Sequence, residues 1–424
     1  MKKRFIAAAI LSALFIGAGF ASDTSSEWKN SSGEVVAIGT LDVERTLDET
    51  PGDSAPSKVY FRTEGGKTLA YRYRWLGDDE RKRVDEALSA PGAAEVVEEE
   101  EAAAPEAVAP PANDEIEFEE DVETSQKEKP NVDVAEPAAG TRKTITVKGA
   151  EYAFRYCPAG MFEMGSPIYE ENRASDETRH RVVLSGFWML ETEVTVGMWR
   201  TFAEATNYKT GPGFEGKGGY GFNASTGKFE SGYQYTWENP GFEQTDDCPV
   251  TQIDWAGAVA FGEWLADESG LPIRLPTEAE WEYACRAKTT TPYYFGKDGK
   301  ELHRYGNVAD ASAKEYFSDW SNTIAGTDGY VFTAPVKSFE PNAWGLYDMC
   351  GNVWERCLDW YDEDYGANLN VVLRDPYGAA EGSWRVLRGG SWRDSAKYCR
   401  SAYRNGSDPT NRYNNHGFRL VLGR

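Results

Sequence analysis

The chain has 424 residues, long for one domain and comfortable for two. It carries 69 acidic against 45 basic residues, a formal net charge of −24. That balance argues against nucleic acid as a partner, because phosphate neutralisation needs basic surface.

Lys2, Lys3 and Arg4 precede the mostly apolar run Phe5–Ile16, and Gly19-Phe20-Ala21 offers small residues for cleavage. Residues 1–21 therefore read as a secretory signal peptide. An uncleaved anchor is the competing reading, although the run is short for a spanning helix. No cysteine stands directly after the run, and no other long apolar stretch occurs. The expected location is outside the cytoplasm, periplasmic or extracellular, with no membrane span after signal cleavage.

A small module is expected over 25–90. Val35-Val36-Ala37-Ile38 is a short apolar run, and Lys58–Arg62 and Thr68–Trp75 flank Gly65-Gly66, a β-hairpin signature. Asp78-Asp79-Glu80 opens a short helix with Val84 and Leu88 on one face. With Trp28 near its start and a Gly-Gly-Lys turn, this order resembles the small Src-homology-type β-barrel domain of actin-patch proteins. The resemblance implies a peptide or surface adaptor; a stabilising cap without a partner is the alternative.

Residues 93–142 are rich in Ala, Glu and Pro, with an acidic run at Glu98–Glu101. Such a segment buries too little apolar surface to offset ordering entropy, so a disordered, self-repelling linker is expected. Solvation alone accounts for the charge run; a cationic partner is the other reading.

From 143 to 424 the composition changes, and most of the 14 tryptophans and 42 glycines lie here. Thr195 can cap a helix carrying Trp199 and Phe202. Asp254 can cap another with Trp255, Val259 and Leu265 on one side and Gly270 as its stop. Thr277-Glu-Ala-Glu280 is a capping box leading into Trp281–Cys285. Regular structure is otherwise scarce, so a compact, loop-rich α+β domain is expected. All six cysteines (157, 248, 285, 350, 357 and 399) fall in this part. Outside the cytoplasm they are free to pair, and sequence does not choose the pairs. Their spacing does not match a zinc site.

Asn342–Glu355 packs aromatics, glycines and two carboxylates into one segment that is neither an amphipathic helix nor an alternating strand. Asp348 and Glu355 bracket several potential carbonyl ligands, which suits a hard cation such as calcium. A buried aromatic turn with solvated acids is the competing reading.

Several blocks now stand in order: Met161–Ser166, Glu191–Thr195, Pro249–Trp255, Arg274–Ala284, Asn342–Glu355, Leu387–Trp392 and Gly417–Arg419. Together they resemble the sulfatase-modifying factor family, whose founding members are formylglycine-generating enzymes. The resemblance implies a loop-rich fold related to C-type lectins. It also implies two structural calcium sites, one at Asn307, Val308, Asp328 and Tyr330, the other at Asp348, Gly351, Val353 and Glu355.

Family oxidases hold copper(I) on two cysteines five residues apart, shortly after Gly-Gly-Ser, and convert a cysteine of a sulfatase to formylglycine. Here Cys399 stands at the second cysteine's spacing after Ser391, but Asp394 occupies the first position. A carboxylate is a hard ligand and a poor substitute for thiolate at copper(I), so copper is not expected. The candidate catalytic set is thus Cys399, Ser391 and Asp394, with bland readings beside it: a turn serine and a buried or disulfide-bonded thiol. Arg400, Arg404 and Arg419 can simply pair with acids.

Iron-dependent relatives carry a His-x-x-x-His-x-Glu pattern, which is absent; the histidines are His180, His303 and His416. The functional expectation is an exported binding or accessory protein for a protein, peptide or glycan. The alternative is an oxidoreductase that makes formylglycine through a variant site.

Overall fold

The computed structural model describes residues 136–209, 218–366 and 372–423, together with four N-terminal strands. Those strands are β1 (Ser26–Lys29), β2 (Val35–Leu41), β3 (Lys58–Arg62) and β4 (Thr68–Arg72), an antiparallel meander in sequence order. The hairpin expected around Gly65-Gly66 pairs Lys58 with Arg72 and Arg62 with Thr68. The signal peptide, the helix expected at Val84 and Leu88, and the linker up to residue 135 lie outside the described residues.

The larger domain begins inside the last residues of the expected linker, where the Gly140 N–H donates to the Tyr156 carbonyl at 2.9 Å. Strands β5 (Arg142–Val147) and β6 (Ala150–Cys157) form a hairpin. Lys148 and Gly149 at its tip have φ of 46° and 86°, the left-handed pair that matches the twist of the flanking strands.

β7 (Gly160–Met164), β8 (His180–Leu184) and β9 (Phe187–Leu190) follow. The central sheet runs β12 (Ile273–Arg274), β18 (Val421–Leu422), β9, β6, β5. Successive residues of a strand face opposite sides. Met189 and Val421 accordingly enter one core cluster while Leu190, Leu420 and Leu422 enter the other.

Helix α1 (Val196–Thr206) starts at Thr195, whose hydroxyl accepts the Met198 N–H at 3.2 Å. Helix α2 (Trp255–Ser269) starts at Asp254, which accepts the Gly257 N–H at 2.7 Å, and stops at Gly270 with φ 68°. Its core stripe is Ala258, Phe261 and Leu265; Trp255 and Val259, expected on that side, are only partly buried. Helix α3 (Glu278–Arg286) carries the full capping box between Thr277 and Glu280. Trp199 of α1 stacks on Phe261 of α2 at 5.7 Å between ring centroids, and both lie in the second cluster.

The functional loops hang on a second sheet, ordered β16 (Asn405–Ser407), β15 (Arg385–Arg388), β13 (Trp354–Trp360), β17 (His416–Gly417). β13 and β17 run parallel there. A third sheet is β14 (Leu373–Arg374), β8, β7, and β10 (Gly219–Asn223) pairs with β11 (Lys228–Gly232). Short helix α4 (Ala311–Tyr316) follows the first candidate cation loop. All six cysteines are buried free thiols.

Candidate functional site

The two cation sets expected from sequence lie in adjoining loops. At Gly351 (φ 90°) a Cβ would stand 2.2 Å from the Asn307 carbonyl oxygen, so only glycine permits this approach. Asp348 and Asn352, with φ of 57° and 59°, complete a tight left-handed turn. The Asn352 N–H donates to the Asn307 carbonyl at 2.7 Å, and the Asn307 amide donates to Asn352 Oδ1 at 3.2 Å.

In the first set, Asp328 accepts the Val308 N–H at 2.9 Å and the Tyr330 N–H at 2.8 Å, one on each oxygen. Asn307 Oδ1 is buried and has no partner. Asp310, not singled out from sequence, caps α4 through Ser312 and Ala313 and accepts the Asp328 N–H. Burial, with the Asp310 carboxylate adding to it, pushes the Asp328 carboxyl up to about 7.

In the second set, Asp348 Oδ2 accepts the Lys337 N–H at 2.9 Å, and Oδ1 is buried without a partner. Glu355 is already held. Arg419 grips it with two hydrogen bonds of 2.6 and 2.7 Å, and the Trp281 indole adds a third at 2.8 Å.

The unheld carboxylate is Glu193, which lies within the Glu191–Thr195 block but was not expected as a ligand. It is 0% exposed and neither oxygen has a partner. Burial pushes its carboxyl well up, and the charges of Asp348 and Glu355 push the same way against Arg419. No local sequence signal marked it, since Thr192-Glu193-Val194-Thr195 reads as an ordinary strand end.

Three carboxylates therefore face one guanidinium in a dry interior. Such a cluster must hold protons or a cation, since buried charge is costly unless compensated. Among the described residues no three His, Cys, Asp or Glu side chains close around one point as metal ligands. A cation here would draw on amide and carbonyl oxygens as well, which is calcium's habit.

The candidate catalytic residues gather at the end of β15. Gly389 and Gly390 (φ 97° and 75°) turn the chain, and a Cβ on Gly390 would stand 2.4 Å from Cys399 Sγ. Ser391 Oγ donates to the Asp394 carboxylate, and Asn415 Nδ2 donates to Ser391 Oγ at 3.0 Å. Burial raises the Asp394 carboxyl, partly offset by hydrogen bonds from Ser391 and the Trp354 indole.

Cys399 closes a 3-10 turn and is 0% exposed. Burial pushes its thiol well up, and the Asp394 charge adds to that. A reactive thiol needs the opposite surroundings, electropositive and accessible. Arg400, Arg404 and Arg419 do pair with acids. Arg400 binds Glu170 and Glu177, Arg404 binds Glu278, and Arg419 binds Glu355.

Residues 146–423 match the model of the sulfatase-modifying factor enzyme 1-like domain. The chain belongs to that family. It is 32% identical over 290 residues to the formylglycine-generating enzyme of Streptomyces coelicolor, covering 62% of this chain and 87% of that protein. It is 31% identical over 290 residues to the enzyme of Bos taurus, covering 73% of that protein.

A serine/threonine-protein kinase pkn1 of Chlamydia caviae is 35% identical over 176 residues, 24% of its own length. Among solved structures, PvdO from Pseudomonas aeruginosa aligns at a TM-score of 0.55 with 28% identity, covering 68% of this chain and all of that one. Treponema denticola variable protein 1 aligns at 0.50 with 26% identity. The domain is thus a mixed α+β member of this family. No helix among the described residues is long and apolar enough to cross a membrane.

Proposed function

We propose that this family member is an exported binding or accessory protein that lacks the two-thiol copper site. One observation carries the reading: a carboxylate, Asp394, which accepts the Ser391 hydroxyl, stands where the first of the two thiolates of the family's oxidases is expected. The sealed, raised thiol of Cys399 supports it. A shared fold does not fix the chemistry, since function lives in the site. The domain would present its loop surface to a protein, peptide or glycan.

The adjoining cation loops fit structural calcium on this reading. Asn307, Val308, Asp328 and Tyr330 would hold one ion. Asp348, Gly351 and Val353 would hold the other, with Glu193 beside them and Glu355 largely committed to Arg419. A bound cation neutralises the buried carboxylates, and this chain's own hydrogen bonds from Val308, Tyr330 and Lys337 orient them.

Two measurements test these statements. The purified chain is incubated with copper and a peptide bearing Cys-x-Pro-x-Arg, and the peptide is weighed by mass spectrometry. The expected result is an unchanged thiol; aldehyde formed by the parent protein overturns the binding reading. Melting curves after chelation and after calcium addition test the loops: millimolar calcium should raise the melting temperature, and identical curves would refute a structural ion.

A further inference from the structure

The six buried thiols do not have equivalent surroundings. Cys157 Sγ faces the Arg155 carbonyl at 3.9 Å, Cys357 Sγ the Glu355 carbonyl at 4.0 Å, and Cys248 Sγ the Thr245 hydroxyl at 3.5 Å. Cys285 and Cys350 are different, because their thiols hydrogen-bond each other.

Cys285 lies in the last turn of α3. Its thiol also reaches the Met349 carbonyl at 3.6 Å and Ser401 Oγ at 3.5 Å, so it points into the backbone that carries Cys350. Both are fully buried in the same core cluster. Cys399 lies in that cluster too and bears electrostatically on Cys350, but its own hydrogen bond comes from the Ser391 backbone.

We propose that Cys285 and Cys350 form a disulfide, closed during folding by exchange with a small-molecule or protein disulfide. The thiolate of Cys285 attacks one sulfur of the external disulfide, forms a mixed disulfide and releases one thiol. The sulfur of Cys350 then attacks Cys285 Sγ, forms the internal bond and releases the second thiol. The two cysteines lose two electrons and two protons, and the external disulfide takes up both.

The surroundings suit that order of events. Burial pushes the Cys285 thiol up, but hydrogen bonds from Cys350 and Ser401, with the charges of Arg286 and Arg388, carry it below its ordinary value. The attacking thiolate is the one with the larger thiolate fraction.

The bond has a structural consequence. Cys350 stands between Asp348 and Gly351, so the link fastens the cation loop to the end of α3. Its effect on cation affinity rests on the calcium reading above; the bond itself does not.

The test uses the full chain folded in a mixture of oxidised and reduced glutathione. Free thiols are blocked with N-ethylmaleimide in denaturant, and the tryptic peptides are weighed without reduction. Cys285 falls in the peptide 275–286 and Cys350 in 338–356, each with a single cysteine. The expected result is one linked pair of these two peptides, with the other four cysteines alkylated. The oxidised protein should also melt roughly 5–10 °C higher than the reduced one. Six alkylated cysteines in the folded, oxidised protein overturn the proposal, as does a link through Cys399. Cys350→Ser should abolish the link; if that variant does not fold, the parent's peptide map alone decides.

Discussion

Asp359 offers the sharpest test of how this domain handles buried charge. It lies on β13, where one carboxylate oxygen accepts the Glu278 N–H at 2.8 Å and the other is buried without a partner. A helix N-terminus ordinarily favours a negative charge. Here burial outweighs it, and Glu278 adds repulsion, so the carboxyl is pushed up to about 8.

The folded state therefore keeps this proton at pH values where the unfolded chain, with an ordinary carboxyl near pH 4, has lost it. The stability that the proton contributes is complete below about pH 4 and falls as pH rises through the folded value. A difference of about four pH units corresponds to about 5 kcal/mol, a large part of a typical domain's stability. Asp359→Asn replaces the acid with a neutral group of the same shape that still accepts the Glu278 N–H. The variant should be within about 1 kcal/mol of the parent at pH 5 and more stable than it by several kcal/mol at pH 9. Urea unfolding at pH 5, 7 and 9 measures both. A difference between the two proteins that stays constant across that range would show Asp359 ionised throughout and refute the reasoning.

Other consequences are quicker to check. Glu193→Gln removes one of the cluster's three carboxylates, so the calcium-dependent rise in melting temperature should shrink, with affinity falling about tenfold for each 1.4 kcal/mol lost; an unchanged calcium titration would remove Glu193 from the site. Thr277→Ala breaks the capping box of α3 and should cost about 1 kcal/mol in urea unfolding, while a neutral result would mean that packing alone holds that helix end. In the peptide assay, Asp394→Cys is the variant expected to acquire copper-dependent aldehyde formation that the parent lacks, and an inactive variant would show that more than one ligand separates this chain from the oxidases.

Local chemistry made the helices legible. Thr195, Asp254 and the Thr277–Glu280 pair each cap the helix they announce, because these side chains satisfy backbone N–H groups within four residues. The Gly65-Gly66 hairpin was legible from local pattern too, because two β-forming runs flank a pair of turn-forming glycines. The face of α2 was less so. Trp255 and Val259 look as apolar as Phe261, and only tertiary packing decides that Ala258, Phe261 and Leu265 point inward. At the candidate site, the ordered motifs located the loops but not their partners. Glu355 reads as a ligand until Arg419, 64 residues further on, is seen to hold it. Glu193 reads as an ordinary strand-end acid until its burial removes every partner. Such long-range pairings leave no local pattern to read.

The same long-range pairings explain how a domain poor in helix and strand satisfies its backbone. Buried carbonyls need donors, and irregular loops cannot supply them by repetition. Buried arginines do it instead, because a guanidinium carries five donors in a rigid plane. Arg388 shows the arrangement most fully. It donates to the carbonyls of Ser401, Ala402 and Tyr403 at 2.7, 3.0 and 2.7 Å and also binds Glu282. Three consecutive carbonyls just past Cys399 and Arg400 are thereby pinned by one side chain. Arg388→Lys keeps the charge yet cannot reach three carbonyls and a carboxylate from a single ammonium. At least one buried carbonyl and part of the Glu282 pairing would be left unsatisfied, a loss of roughly 2–4 kcal/mol. Urea unfolding measures it, and a loss below about 0.5 kcal/mol would mean that charge, not donor geometry, is what this position supplies.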